Sequence, residues 1–370
     1  MTKKNTRKDG LIERKYHGKH YYGHSGPEID AKIRADIVAA AQLREDGQPF
    51  EDVANAYWLA AEPKLKYGSV RGYKKKVDTA IDWFGGRGIQ TITASEISRK
   101  LDRMATQGFA YKSISGQKSV LSLIWRYWCS NMDGNANPVN LIKLPQGLPR
   151  TQRTPPAEAD VELVKQHPEK FGLCANLMIY TGMRLDEVMA LQRGDVDLAG
   201  KKIMVNRACT WHGNVPVPDT PKTSKAIRTI PLLDPLHEIL APRLKGLKPA
   251  QYIFEGTDGQ MMTKSAYENA WLQYCKSLGL IEKTGKQVKT GKKDKSGRPL
   301  YREVEAPKFT AHQLRHEFAS VLIEANVPED VAKEILGHAD IITTHRFYIS
   351  VRQRQIDAAA TAMNKFYSQS

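Results

Sequence analysis

The stretch YTGMRLDEVMALQRGDVD, residues 180–197, carries the signals that decide the fold of the region around it. Gly182 is expected to end one helix, because glycine is the commonest residue just past a helix C-terminus. Arg184 then opens the next helix, whose apolar residues recur at three- and four-residue steps. This spacing predicts an arginine at a helix N-terminus, where the backbone attracts anions. On its own the signal is weak, because an arginine in that position is usually a surface charge.

The whole chain has 370 residues, a net charge of +16 and a hydrophobic content of 41%. That length predicts about two domains. No run approaches the roughly 18 apolar residues of a membrane helix, and the basic N-terminus lacks the apolar region of a signal peptide. We therefore expect a cytoplasmic protein with no membrane partner. The charge favours a polyanion such as nucleic acid as partner, and a merely soluble basic protein is the simpler alternative.

Composition divides the chain into four segments. Residues 1–30 are a basic arm, either a hairpin or a disordered tail, and we interpret it as an extra nucleic-acid contact. Residues 31–142 have a helical pattern, and the proline-rich residues 143–158 are predicted to be a linker. Residues 159–370 form a second domain with a C-terminal tail. The first 150 residues hold 25 basic and 15 acidic side chains, so most of the net charge belongs to the first part of the chain.

Two helices of the first domain have clear faces. In the first, apolar residues recur from Val70 until the Gly85-Gly86 pair that is expected to end the helix, and basic residues occupy the other side. Those basic residues are predicted to contact nucleic acid, although they fit a solvated surface equally well: Arg71, Lys74 and Lys75. In the second helix, about residues 113–130, a stripe of aromatic residues is most simply read as core.

The second domain is predicted to be mixed α+β within a mainly α protein. Two strand-like runs, 201–207 and 226–232, are separated by a proline-rich loop and predict a small antiparallel sheet. Helical patterns cover residues 159–168, 171–181, 184–192, 234–243, 264–279, 310–325 and 328–336.

Residues 283–302 contain eight basic side chains and one acidic one. We interpret this segment as a flexible basic loop that follows a phosphate backbone, with a disordered surface insertion as the alternative. The lysines expected to contact nucleic acid there are Lys289, Lys292 and Lys293.

The stretch TAHQLRHEFAS, residues 310–320, places His312 and Arg315 on one face of a helix. Three apolar residues are expected to pack on the other face: Leu314, Phe318 and Val321. Two neighbouring cations are costly to bury unless an anion lies between them. A structural pair between the arginine and a carboxylate is the alternative.

Two further stretches add a histidine, a tyrosine and a lysine. In EILGHADIITTHRFYIS, residues 334–350, Gly337 is expected to end a helix, His338 follows it, and Tyr348 comes ten residues later. In PDTPKTSKAIRTIPL, residues 218–232, a tight turn that enters a strand carries Lys222. A lysine in such a turn is usually solvated, so it has meaning only together with the other residues.

Taken together, these residue types fit phosphoryl transfer without a metal or any other cofactor. Guanidinium groups neutralise non-bridging phosphate oxygens in the transition state. A phenol can form a covalent intermediate that conserves the energy of the phosphodiester, and a lysine or histidine can protonate the departing alkoxide. The sequence contains no HExxH motif and no Cys/His metal set, so we expect no metal site.

Five motifs in this order, TGMRLDEVMAL, PKTSKAIRTIPL, HQLRH, LGHAD and TTHRFY, resemble those of the tyrosine recombinase (phage integrase) family. The resemblance covers about residues 170–350. It implies a helical core DNA-binding domain at 31–142, followed by the mixed α+β catalytic domain of the family. It also implies a catalytic set with these members: Arg184, Lys222, His312, Arg315, His338 and Tyr348.

The resemblance also gives these positions roles. Tyr348 matches the nucleophile that forms a 3′-phosphotyrosyl link, and Glu187 matches the acidic residue that supports the first arginine. Lys222 matches the general acid for the leaving 5′-hydroxyl, with Lys225 as the alternative because hairpin alignments slip easily. In most members the tyrosine lies one residue closer to the histidine, at the position of Phe347 here. Either the connection is longer by one residue and the enzyme is active, or catalysis is impaired.

The function implied is that of a site-specific DNA recombinase, the integrase of a prophage or other mobile element. Four protomers would act on two duplex sites through a Holliday junction, with no cofactor and with an excisionase or DNA-bending protein as a potential accessory factor. Three alternatives stay open at this stage: a DNA-binding regulator that has lost catalysis, an enzyme of the type IB topoisomerase kind that relaxes DNA, and a basic enzyme that does not act on nucleic acid, for which the five motifs would be a coincidence.

Overall fold

The computed structural model describes residues 11–16, 19–42, 47–132, 134–150, 155–219, 227–293, 296–337, 360 and 363–364. The chain divides into two compact units, Met1–Gln152 and Arg153–Ser370. Within the described ranges, no helix is long and apolar enough to cross a membrane.

The first unit is a helical bundle preceded by a β-hairpin. Its elements are β1 (Ile12–Tyr16), β2 (Lys19–Gly23), α1 (Gly26–Gln42), α2 (Phe50–Ala61), α3 (Tyr67–Phe84), α4 (Ala94–Thr106) and α5 (Tyr111–Asn131). The bundle core joins α2, α3 and α5, where the rings of Phe50 and Trp125 lie 5.2 Å apart and those of Phe50 and Phe84 5.6 Å apart. The aromatic stripe of α5 is core, as predicted, and α3 ends at Gly85, as predicted.

The hairpin packs on α1 through apolar and aromatic side chains. Strands β1 and β2 are antiparallel, with Ile12 opposite Gly23, and Tyr21 of β2 packs against the buried face of α1. Of the two alternatives for the arm, the structure therefore has the hairpin over residues 12–16 and 19–23. The predicted boundary after residue 30 falls inside α1. The hairpin and the helix pack together and are not separated at that boundary.

The second unit is mainly helical with small antiparallel sheets. Its elements are α6 (Glu158–Gln166), α7 (Gly172–Thr181), α8 (Leu185–Met189), β3 (Val196–Asp197), β4 (Lys202–Val205), β5 (Ala208–His212), β6 (Val215–Asp219), β7 (Arg228–Pro231), α9 (Asp234–Leu244), α10 (Lys264–Ser277), β8 (Ile281–Lys293), β9 (Pro299–Pro307), α11 (Ala311–Glu324) and α12 (Glu329–Leu336). The strand order β3-β4-β7 pairs Ile203 with Ile230, both fully buried. The predicted small antiparallel sheet and mainly α class are thus confirmed.

The loop predicted between the two strands of that sheet is wrong in part, because it contains a second hairpin. Strands β5 and β6 pair antiparallel around a turn at Gly213 and Asn214. Pro216 and Pro218 lie two positions apart, so their nitrogens face the same edge of β6, and among the described residues that edge has no partner strand. The turn is fixed to the start of α10, where the amide of Ser265 donates to Asn214 Oδ1 at 2.8 Å.

The prediction of a flexible or disordered segment at 283–302 is also wrong. Strands β8 and β9 form a long antiparallel hairpin, with Lys289 opposite Tyr301. Threonine hydroxyls bind across the two strands: Thr284 Oγ1 donates to the Val304 carbonyl at 2.8 Å, and Thr290 Oγ1 donates to the Leu300 carbonyl at 3.0 Å. The lysine-rich segment is therefore a strand that contacts of β-branched residues stabilise. Its high charge makes this strand hard to recognise in the sequence.

Candidate active site

The first arginine is placed by a tight turn at the end of α7. Gly182 has φ of +63°, a conformation that favours glycine, and a Cβ there would lie 2.3 Å from Cδ1 of Phe318. The turn sets Arg184 as the N-cap of α8. The sequence-based expectation for this arginine, a position at a helix start, is what the structure has.

The side chain of Arg184 is held at both ends of its guanidinium group. Nη1 donates to Glu187 Oε1 at 2.8 Å, and Nη2 donates to the Gly337 carbonyl at 2.8 Å. The backbone amide of Arg184 also donates to Glu187 Oε2 at 2.8 Å. These contacts fix the direction of the side chain. Because 32% of its surface is exposed, it is still accessible to an anion.

Glu187 has a second arginine partner that sequence reasoning missed. Arg228, the first residue of β7, donates from Nη1 to Oε1 at 3.0 Å and from Nη2 to Oε2 at 2.9 Å. The exposed fractions of the Arg228 and Glu187 side chains are 4% and 3%. One signal was available: Arg228 lies on the same face of its strand as the buried Ile230, and an arginine on the apolar face of a strand requires a carboxylate or carbonyl partner.

Burial and charge act in opposite directions on the acidic residues. Burial alone would raise the pKa of the Glu187 carboxyl, but hydrogen bonds and charge from Arg228, with the charge of Arg184, bring that pKa below its usual range. Burial and the neighbouring Glu187 charge raise the pKa of Asp186. Glu187 is therefore ionised at neutral pH.

Arg315 lies on α11 and is almost completely buried, with an exposed fraction of 4%. Its Nη1 donates to the Gly182 carbonyl at 2.5 Å, and its Nη2 donates to the Leu336 carbonyl at 2.6 Å. Burial, followed by the charge of Arg184, lowers the Arg315 pKa to about 9, which leaves the group protonated at neutral pH. Backbone carbonyls, rather than a carboxylate, therefore satisfy this buried cation.

His312 lies on the same helix, one turn before Arg315, and is partly exposed. Its ring meets that of His316 edge to face, with centroids 5.1 Å apart. Leu314 is buried as predicted, but Val321 is 42% exposed, so its predicted place in the core is wrong. Seven residues are almost two full turns, so Val321 lies on nearly the same side of the helix as Leu314, but at the edge of the apolar face, where it stays exposed.

The remaining catalytic predictions lie outside the described residues. Lys222 and its alternative Lys225 belong to 220–226, and His338 and Tyr348 follow Gly337. The structure thus brings Arg184, Glu187 and Arg315 together. The roles of all these positions stay predictions.

The residues predicted to contact DNA lie on two elements, one in each unit. On α3, Arg71 and Lys75 are exposed, and Lys74 pairs with Asp78. On β8, Lys289 is exposed, whereas the side chains of Lys292 and Lys293 are outside the described set. Across the described chain, no three residues among His, Cys, Asp and Glu are grouped as metal ligands. The expectation that no cofactor is needed stays a prediction.

Comparison with known proteins assigns the chain to a protein family. Residues 161–355 match the phage integrase family, which covers more than half of the chain. The ICEBs1 integrase of Bacillus subtilis (strain 168) is 25% identical over 325 residues, which span 87% of this chain and 84% of that protein. The chain belongs to the phage integrase family. Within it, the protein is a site-specific tyrosine recombinase, so the family prediction is confirmed.

Two solved structures show the same fold. The Tn1549 transposon integrase in complex with a circular intermediate DNA superposes with a TM-score of 0.64 at 19% identity, over 83% of this chain and 99% of that one. A lambda integrase tetramer bound to a Holliday junction gives a TM-score of 0.55 at 16% identity, over 94% of this chain and 95% of that one. The predicted fold class is confirmed by both.

Proposed function

We propose that this recombinase cuts and rejoins duplex DNA through a 3′-phosphotyrosyl intermediate formed on Tyr348. The observation that carries the proposal is the convergence of Arg184 and Arg315, which come from helices far apart in the chain, on the end of α12. Two fixed guanidinium groups beside the segment that leads to a tyrosine are what a phosphodiester displacement requires.

The two arginines would divide the work of holding the phosphate. Arg184 presents an exposed third of its side chain, while Arg315 contributes a buried positive charge from behind. Their hydrogen bonds to Glu187 and to backbone carbonyls keep both cations in place before the substrate arrives. Preorganised donors of this kind are worth on the order of 10²–10³ in rate when one is removed.

The other predicted residues would handle protons. The phenol oxygen of Tyr348 attacks phosphorus, a P–O bond forms and the bond to the 5′ oxygen breaks. A histidine, His312 or His338, would take the phenol proton, and Lys222 or Lys225 would give a proton to the 5′ oxygen. Residues 220–226 connect β6 to β7, whose first side chain, Arg228, lies in the site, and this supports the lysine assignment.

The protein would serve a mobile element, in keeping with the relatives it resembles. The helical residues 31–142 would be the core DNA-binding domain, 143–158 the linker and 159–370 the catalytic domain. Four protomers would act on two duplex sites, in analogy with the lambda integrase tetramer, and an excisionase or DNA-bending protein is a proposed accessory factor. The arm at 1–30 would add a DNA contact.

Covalent trapping tests the proposed chemistry. The protein is incubated with DNA that flanks its own gene, nicked so that the cleaved end diffuses away, and the adduct is mapped by mass spectrometry. We expect a nucleotide on Tyr348 that is absent from Tyr348→Phe. The matched control is Tyr301→Phe, an exposed tyrosine of β9, which should form the adduct normally.

Other outcomes favour the alternatives. An adduct that persists in Tyr348→Phe would overturn the nucleophile assignment. The alignment with the family around Phe347 would then have to be revised. Specific DNA binding without any adduct in the unaltered protein would favour a regulator impaired by the extra residue. Relaxation of plasmids that lack the specific site would favour an enzyme of the topoisomerase kind.

A further inference from the structure

Three arginines bind three consecutive carbonyl groups at the end of α12. Arg228 Nε donates to Ile335 O at 2.7 Å, Arg315 Nη2 to Leu336 O at 2.6 Å and Arg184 Nη2 to Gly337 O at 2.8 Å. These carbonyls are at the negative end of the helix, which lacks internal partners for its last groups. The last turn of α12 is thus bound directly to the cations of the site.

Arg228 differs from Arg184 because its side chain is buried, and from Arg315 because it pairs with a carboxylate. Its side chain is 4% exposed, and its guanidinium donors go to both Glu187 oxygens and to the carbonyl of Ile335. Gly337 lies directly against it: a Cβ at that position would be 2.9 Å from Nη1 and 3.0 Å from Cζ of Arg228. The left-handed turn that leads towards His338 is therefore shaped around this one side chain.

We propose that Arg228 is a positioning residue for strand cleavage, acting through two connections. Through Glu187 it fixes the direction of the Arg184 guanidinium, and through Ile335 and Gly337 it fixes the turn from which the His338–Tyr348 segment departs. It does not contact the phosphate. This proposal rests on the proposed function, because it assigns Arg228 to the same cleavage step.

A purely structural role predicts a different result. If Arg228 only held β7 and α12 together, its loss would lower stability and leave the rate of cleavage by the folded protein unchanged. If it positions Arg184, its loss would slow cleavage while specific DNA binding is retained, since phosphate affinity is spread over many contacts. The two roles are therefore separated by a rate measured on folded, DNA-bound protein.

The test measures single-turnover cleavage of nicked site DNA by the full chain at saturating protein. We expect Arg228→Gln and Arg228→Lys each to cleave about 10- to 100-fold more slowly, because displacement of a catalytic group by about 1 Å costs this much. Lysine keeps the charge but not the two-pronged contact, so it should not rescue the rate. DNA affinity should change by less than about threefold.

Arg207→Gln is the matched control. Arg207 also pairs with a buried carboxylate of the second unit, Asp195, and its loss should reduce stability without slowing cleavage. A double-mutant cycle supplies the second readout. In an Arg184→Ala background, Arg228→Gln should slow the residual cleavage by a clearly smaller factor than in the unaltered protein, since one of its two connections is gone.

Two results would overturn the proposal: cleavage at the unaltered rate by folded Arg228→Gln, or a full and independent loss of rate in the Arg184→Ala background. If Arg228→Gln does not fold, the same comparison is made with Arg228→Lys, whose normal rate would be equally decisive. Failure of the unaltered protein to form a tyrosine adduct would instead contradict the proposed function, so the two failures are distinguishable.

Discussion

Glu187 is the single residue on which the charge balance of the site depends. It accepts hydrogen bonds from Arg184 and Arg228, and its charge also favours the protonated form of Arg315. Two guanidinium groups bind this carboxylate and a third, that of Arg315, lies within reach of its charge, so the site carries an excess of positive charge. That excess is what an anionic phosphate would neutralise.

Replacement of Glu187 by glutamine should therefore destabilise the protein strongly. Breaking a buried ion pair by removing one partner costs about 3–5 kcal/mol, because the remaining charge is left uncompensated. The measurement is the free energy of unfolding in urea at pH 7. The exposed Glu162→Gln is the control, since its pair with Lys165 lies at the surface and should contribute little.

The same variant should show a characteristic pH dependence. The folded pKa of Glu187 is below the ordinary carboxyl value of 4.5, so its ionic contribution is complete above that value and is lost as the pH falls through the folded pKa. The stability difference between the unaltered protein and Glu187→Gln should thus shrink only in acid. A difference that is absent at pH 7 would contradict the assigned pairing.

Residues near the start of a helix or within a compact motif were the predictable ones. Arg184, Glu187 and Arg315 were identified from the sequence, and the structure brings them together. Arg228 was missed because its strand, read locally, indicates at most that a partner is needed and does not identify Glu187, 41 positions away in the chain. Val321 was misplaced because an apolar residue near the edge of a helix face is read as core unless its neighbours in space are known.

At the scale of elements, helices were predictable and two hairpins were not. The pattern of α3 and α5 is local, and it repeats within the length of one helix. Strand β8 depends instead on contacts such as Thr284 to Val304, twenty positions away, while its lysines and glycines imitate a loop. Strand β6 was read as a loop because of its prolines, whose placement on an unpaired edge becomes visible only with the sheet.

The β8–β9 hairpin offers a test at this scale. If its lysines contact phosphates, the double variant Lys286→Gln, Lys289→Gln should bind site DNA more weakly and reduce the steepness of the salt dependence by about 1–2. Binding is measured across a salt series. The control removes two other exposed charges of the same unit, Lys201→Gln and Lys248→Gln. Equal effects of the two pairs would mean that the hairpin has no special contact.

For the whole molecule, the dominant property is a net charge of +16 in 370 residues. Surface charge of this size does not determine the fold, but it acts at long range on a polyanion. The basic residues are present in both units, on α3 in the first and on β8 in the second. We therefore expect DNA affinity to be a property of the entire chain rather than of one patch.

Salt dependence measures that property directly. With about six phosphate contacts per protomer, the logarithm of the binding constant should fall with the logarithm of salt concentration with a slope of about −5. Affinity would then fall by about three orders of magnitude between 50 and 200 mM salt. The measurement is a fluorescence binding titration on a short duplex. A slope near zero would contradict phosphate binding as the main source of affinity.

The two glycines that end α7 and α12 have one consequence for how such a chain is recognised. Gly182 has no room for a methyl group beside Phe318, and Gly337 has none beside Arg228. Both belong to the short signatures, TGMR and LGH, by which the chain resembles its family. Part of what makes these signatures recognisable is therefore a steric restriction. At these two positions a side chain would collide with the core or with the arginine that orders the site, so the sequence has glycine.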